Sequence, residues 1–183
     1  MRKISSKKTY EGIRFSVIRT ILSKDNELIE KEFIDFGEAV AIVPFINSNK
    51  IILIKQYRAA LDKWIYEIPA GKIERGEDIY SAAARELVEE TGYEPGSLEK
   101  ILSIYTAPGY SNEVIHILVA RDLVFVGARP EAGEFISTEI IDLEEAIKKI
   151  FSQEVIDAKT LIGLLIARDL LHTQSPTHSR ILS

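Results

Sequence analysis

The rhythm of apolar and polar positions changes along the chain. From Tyr10 to Ile54 it is that of strands. Ile13, Phe15 and Val17 alternate with other residues and predict a first strand. Glu27 to Ile34 mixes Leu28, Ile29, Phe33 and Ile34 with charges and predicts a second, with Ser23-Lys24-Asp25-Asn26 as the hairpin turn between them. Ala39 to Phe45 and Ile51 to Ile54 are near-continuous apolar runs separated by Asn47-Ser48-Asn49, the pattern of strands buried on both faces. A short strand is expected over 64–68, ended by Pro69, and then a charged loop from Gly71 to Gly76. There the period lengthens. Ile79, Ala83 and Leu87 recur every four residues and predict a helix over 78–91 with a buried stripe, stopped by Gly92. Strands are expected again over 98–105, 113–120 and 136–141, and helices over 143–151 and 158–171. Residues 129–134 read as an acidic loop containing Pro and Gly. The tail after His172 is expected to fray.

Strands on either side of one central helix, with a helical finish, predict an α/β sandwich rather than a doubly wound parallel sheet. The expected organisation is a strand segment over 1–38, one domain over 39–172 and a flexible tail over 173–183. Two readings stand for the strands before Phe36: a small separate sheet, or a polar surface hairpin.

Composition narrows the function classes. A chain of 183 residues is long enough for one domain with a sizeable core. Its net charge of -5 argues against broad binding to nucleic acid, which usually needs a basic face. An anionic small substrate stays compatible, because a bound cation inverts the local field. The absence of cysteine excludes disulfides, zinc-thiolate sites and a thiol nucleophile. Met1 to Tyr10 is polar and has no apolar stretch for a signal peptide, and no apolar run approaches the ~20 residues of a membrane span. A cytoplasmic protein without membrane or nucleic-acid partners is expected. His116, His172 and His178 show no ligand or triad spacing, and His116 lies on an expected buried strand as a structural residue.

The chemistry concentrates between Gly71 and Tyr93. Glu86 and Glu90 are four apart, so on a helix their side chains lie one above the other, and Glu89 flanks the same face. Such a stack of like charges weakens a helix slightly and asks for a compensating cation. Ligands that are all oxygen suit magnesium, calcium or manganese. Arg85 lies eight residues after Glu77, about two helical turns. It is expected to hold Glu77 in an ion pair instead of touching substrate. Small side chains at Ala82, Ala83 and Ala84 let the helix approach the sheet, and Gly71 and Gly76 give the preceding loop backbone freedom. Glu86 with Glu90 alone reads more readily as a solvated acidic face than as a site.

The full spacing says more. From Gly71, five residues precede Glu77 and seven more precede Arg85-Glu86. Leu87, one residue, Glu89-Glu90, one residue, Gly92 and the apolar Tyr93 follow. This resembles the signature box of the Nudix hydrolases at each of its defining positions. The resemblance implies an α/β/α sandwich with a mixed sheet, and hydrolysis of a nucleoside diphosphate linked to another group. It implies Glu86 and Glu90 as ligands of Mg2+, with Mn2+ as the alternative, and Glu89 assisting catalysis.

The flanks resemble the ADP-ribose pyrophosphatases of that family. In Tyr66-Glu67-Ile68-Pro69-Ala70-Gly71, the resemblance makes the Ala70 carbonyl a metal ligand and Glu67 a substrate contact. In Gln56-Tyr57-Arg58 it sends Arg58 to a phosphate, a role suited to the guanidinium fork. Pro108 and Ser111-Asn112-Glu113 look like that subgroup's loop. Glu134, with Glu131 in reserve, matches an acidic loop that supplies the general base and a possible metal ligand. A solvated loop is the other reading, and water activated by metal alone or through Glu89 also stands. Trp64, Tyr66 and Phe36 are candidates to stack on a base, and Arg14 and Arg19 to reach a phosphate. The resemblance further implies a homodimer built through the N-terminal strands. The expected reaction is ADP-ribose to AMP and ribose 5-phosphate. The alternatives are another sugar nucleotide, a dinucleotide or FAD, and more distantly a non-catalytic nucleotide-binding module. An isomerase of prenyl diphosphates on this fold would normally need the cysteine that is missing here.

Overall fold

The computed structural model describes residues 1–129 and 135–173. In chain order the strands before the first helix are β1 (Arg2–Glu11), β2 (Ser16–Lys24), β3 (Glu27–Asp35), β4 (Glu38–Pro44), β5 (Lys50–Arg58), β6 (Lys63–Glu67) and β7 (Ala70–Lys72). Helix α1 (Ile79–Thr91) follows. Then come β8 (Tyr93–Glu94), β9 (Ser97–Tyr105), β10 (Val114–Arg121), β11 (Val124–Phe125), β12 (Ile136–Asp142), α2 (Leu143–Phe151) and α3 (Ala158–Thr173).

The centre is a mixed sheet in the order β7-β4-β10-β9, with β4 and β10 parallel. Beside it β12-β5-β6 forms an antiparallel sheet. The near-continuous apolar runs of β4 and β10, the latter interrupted by His116, are explained by cover on both faces. Ala39, Ala41 and Val43 with Ile115, Ile117 and Val119 share one core with Ala146 and Ile150 of α2 and Leu164 of α3. Val40, Ile42, Leu118 and Ala120 pack on Ala82, Ala83 and Leu87 of α1. The two-residue alternation of each strand thus separates two cores, and the molecule is an α/β/α sandwich. Asp78 caps α1 by accepting from the amides of Tyr80 and Ser81, and Gly92 ends it in the left-handed region at φ 80°.

The first three strands form their own sheet, β1-β2-β3, outside both cores. Asp25 and Asn26 both take positive φ (51° and 67°), which makes the expected turn a tight two-residue hairpin. The expected first strand is corrected: Ile13 stands exposed in the connection between β1 and β2, and only Val17 of the alternating set lies in a strand. β1 has no apolar alternation, because all ten of its positions are exposed. Its pairing with β2 supplies the order that its sequence does not show. Part of the loop expected after Pro69 is instead the edge strand β7, paired with β4. Among the described residues, no helix is long and apolar enough to cross a membrane.

Candidate active site

The carboxylates of α1 are organised by one arginine. Arg85 forks onto Glu77, Nε to Oε1 and Nη2 to Oε2, both at 3.0 Å. The expected pair is therefore present, but it is only half of what Arg85 does. Its Nη1 also donates to Glu86 Oε1 at 2.8 Å and to Glu89 Oε2 at 2.9 Å, and Nη2 reaches the carbonyl of Lys72 at 2.9 Å. The hydrogen bonds from Arg85 hold the Glu77 carboxyl below the usual glutamate range, against the opposing effect of burial. The same contacts raise Arg85 far above its ordinary value.

Glu86 lies against the backbone of β7. A Cβ on Gly71 would stand 1.9 Å from Glu86 Cδ, so no residue with a side chain fits there unless the carboxylate moves. The sequence suggested backbone freedom at Gly71, but the structural reason is this close approach. Gly76 does take positive φ, at 85°.

Glu90 is 4% exposed, and its Oε2 accepts from the amide of Ala70 at 2.9 Å. The ladder between β4 and β7 explains how Ala70 becomes available. Ile42 donates to Pro69 O and Ile73 to Glu38 O, so by alternation the amide and carbonyl of Ala70 face the open edge of β7. Glu86, Glu90 and the Ala70 carbonyl would offer hard oxygen donors of the kind magnesium takes. Among the described residues, no three acidic or histidine side chains converge at ligand spacing.

Across from α1, Arg58 and Glu67 sit at the ends of β5 and β6. Glu67 is 1% exposed, and Arg58 forks onto it, Nε to Oε1 at 2.6 Å and Nη2 to Oε2 at 2.8 Å. Burial pushes the Glu67 carboxyl up, but its bonds to Arg58 and the charge of Lys159 outweigh this and hold it low. Burial likewise opposes the charge on Arg58, while Glu67, Glu90 and Asp157 raise its pKa. Lys159 and Asp157 went unnoticed in the sequence. Lys159 is 9% exposed, and its Nζ donates to Glu67 Oε2 and, at 3.0 Å, to Asp157 Oδ2. One signal was legible: Lys159 falls in the first turn of α3, where a cation opposes the helix dipole and needs local compensation.

The other candidates are more scattered. Trp64 is 50% exposed and meets Tyr57 edge to face, while Tyr66 lies under the ammonium of Lys149. Arg19 is engaged with Glu30 and Glu32 on the N-terminal sheet. Arg14 lines an open cleft of about 270 Å³ with Phe36 and Lys72. Lys72 donates from Nζ to the Arg14 carbonyl at 2.7 Å and covers the Phe36 ring at 4.7 Å. Pro108 is exposed in a turn closed by Ala107 O. The turn is stitched to β3 by Asn112, which accepts from the Phe36 amide at 3.0 Å and donates to Asp35 at 2.6 Å. His116 is structural as expected, buried and bonded to Ser103 at 2.8 Å and Glu38 at 3.0 Å. Glu131 and Glu134 lie outside the described residues. The residues flanking them border the site. The Arg129 amide donates to the Glu89 carbonyl at 3.1 Å, and the Phe135 carbonyl accepts from Tyr57 at 3.4 Å.

Comparison with known proteins bears on this geometry. The family model for the NUDIX domain matches residues 35–161. An ADP-ribose pyrophosphatase of Bacillus subtilis is 41% identical over 137 residues, 74% of each chain. A methanol dehydrogenase activator of Bacillus methanolicus is also 41% identical over 137 residues, again 74% of each chain. A crystal structure of an ADP compounds hydrolase superposes with a TM-score of 0.83 at 24% identity, covering 96% of this chain and 97% of that one, a likeness of fold.

Proposed function

We propose that this chain, which belongs to the Nudix hydrolase family, hydrolyses the diphosphate of a nucleoside diphosphate sugar, ADP-ribose first, to AMP and ribose 5-phosphate. The observation that carries the reading is the carboxylate cluster of α1. Glu86 packs onto Gly71, Glu90 onto Ala70, and Glu89 shares Arg85 with Glu86, with Glu90 also close enough to act on the charge of Arg58. The name of the Bacillus subtilis relative favours ADP-ribose. The name of the Bacillus methanolicus relative, equally similar, leaves the substrate to experiment.

Glu86, Glu90 and the Ala70 carbonyl would hold magnesium, with manganese as the alternative. When bound there, the metal would offset the charge of the diphosphate and acidify a water ligand. The protein groups then have separate tasks. Arg85 fixes the directions of Glu86 and Glu89 and carries their excess charge. Arg58, oriented by Glu67, presents its guanidinium to a phosphate oxygen. Glu89 or Glu134 accepts the proton of the attacking water. Glu134 is proposed from its match to the acidic loop of the ADP-ribose pyrophosphatases. Arg14, Trp64 and Pro108 are the contacts proposed for the rest of the substrate.

Release of AMP from ADP-ribose, with and without magnesium, tests the reading beside ADP-glucose, GDP-mannose, FAD and diadenosine polyphosphates. A magnesium-dependent preference for ADP-ribose in kcat/KM is the expected result. Preference for another member keeps the metal chemistry and discards the sugar assignment. Failure on all of them returns the chain to a binding role. Glu90→Gln is expected to keep the fold and lose turnover by several orders of magnitude, since an amide ligates magnesium poorly. Unchanged turnover removes Glu90 from the metal site.

The sheet β1-β2-β3 is proposed as the surface that pairs two copies. It carries exposed Ile4, Tyr10 and Leu28, with exposed Phe15 in the connection between β1 and β2, outside the core. A mass of about twice 20.6 kDa in light scattering is expected, and a monomer at all concentrations contradicts it.

A further inference from the structure

We propose that Lys159 is a positioning residue for the diphosphate site: by sharing the Glu67 carboxylate with Arg58, it keeps the Arg58 guanidinium both fixed and available to a substrate phosphate. The inference rests on the reading of this site as one that takes a diphosphate.

Glu67 is almost wholly buried, and a buried carboxylate is costly unless paired. Arg58 alone could satisfy it, since a single fork-to-fork pair neutralises one charge. The structure gives it a second cation. Lys159 donates to Oε2, the oxygen that Arg58 Nη2 also uses. Asp157 then balances the second cation at 3.0 Å. Asp157 is itself fixed, accepting from the amide of Thr160 at 3.0 Å and its hydroxyl at 2.6 Å. That hydroxyl in turn accepts from the Ile68 amide at 2.9 Å, next to Glu67 in the chain. The network therefore holds two cations and two carboxylates, and it ties the first turn of α3 to the end of β6.

This balance decides what happens when an anion arrives. With Arg58 as the only partner of Glu67, a phosphate would have to take the guanidinium from a buried carboxylate and leave that charge uncompensated. With Lys159 in place, Glu67 keeps a cation while Arg58 turns part of its fork outward. Lysine suits the inner position. Its ammonium is a compact charge that satisfies two carboxylates at once, whereas the planar fork of Arg58 suits the phosphate side.

The test is a double-mutant cycle on the full-length chain, read by calorimetric binding of inorganic diphosphate with and without magnesium and by hydrolysis kinetics. Lys159→Met is expected to weaken diphosphate binding about tenfold. KM for the preferred substrate rises with it, and kcat stays within about threefold of the parent. Lys159→Gln keeps a hydrogen bond to Glu67 without the charge. It is expected to show the same loss, and it serves if the methionine variant does not fold. In an Arg58→Ala background the substitution at Lys159 adds nothing further, because its effect passes through Arg58. Unchanged binding in a folded Lys159 variant overturns the proposal, as does an equal loss in the Arg58→Ala background. If the parent binds diphosphate and the cycle behaves as expected but no sugar nucleotide is hydrolysed, the substrate reading fails and the role of Lys159 stands.

Discussion

Glu86 and Gly71 compete for one volume, and the carboxylate has it. Gly71→Ala puts a methyl group 1.9 Å from Glu86 Cδ, so the side chain must leave its seat. A displacement of about 1 Å at a site of this kind costs on the order of a hundredfold in rate. The expectation is a fall of that size in kcat/KM with little change in Tm, and a variant with parental kinetics would show that Glu86 needs no such seat. Glu67 gives a prediction of another kind. Its carboxyl is held below the ordinary glutamate value, so its contribution to stability is complete above about pH 4.3 and is lost as pH falls through the lowered value. Glu67→Gln at neutral pH leaves Arg58 and Lys159 without their shared partner and is expected to destabilise by about 3–5 kcal/mol. In urea titrations across pH the difference from the parent should shrink below pH ~4. A constant difference would mean that the carboxylate charge is not what matters.

At the scale of elements, α1 is the rigid mount of the carboxylates, and its ends are set by side chains that do no chemistry. Asp78 accepts from two amides of the first turn and from the Ser81 hydroxyl at 2.6 Å. Asp78→Ala should cost about 1 kcal/mol, read as a Tm lower by roughly 2–4 °C, with turnover nearly kept. A large loss of turnover at unchanged Tm would place Asp78 in the site instead. This helix was legible because its information is local: period, stop and glutamate spacing all lie within one stretch of chain. α2 was found with the same bounds for the same reason. β7, β8 and β11 were not, because strands of two or three residues carry no period of their own. The partnership of Glu67 with Lys159 spans 92 positions, and only the packing of α3 against the strand ends creates it. The charges on both were visible in the sequence, and their meeting was not.

At the scale of the whole molecule, the chain divides into a core that carries the glutamates and a sheet that stands outside it. The two are joined at β3 by Asn112 and at the box by Lys72. If two copies pair through the sheet, dilution below the dissociation constant should lower specific activity in a fixed-substrate assay, because the cleft lined by Arg14 and Phe36 loses its support. Activity strictly proportional to concentration through the dissociation range would separate assembly from catalysis. Lys72 makes the connection short. Its ammonium holds the Arg14 carbonyl and covers Phe36, while its own carbonyl takes a hydrogen bond from Arg85. One residue thus senses the seat of the outer sheet and the setting of the carboxylate cluster. Should two copies pair through that sheet, thermodynamic reciprocity ties the two events together: a ligand whose binding resets this shared residue changes the strength of pairing by the same free energy with which pairing changes the ligand's affinity.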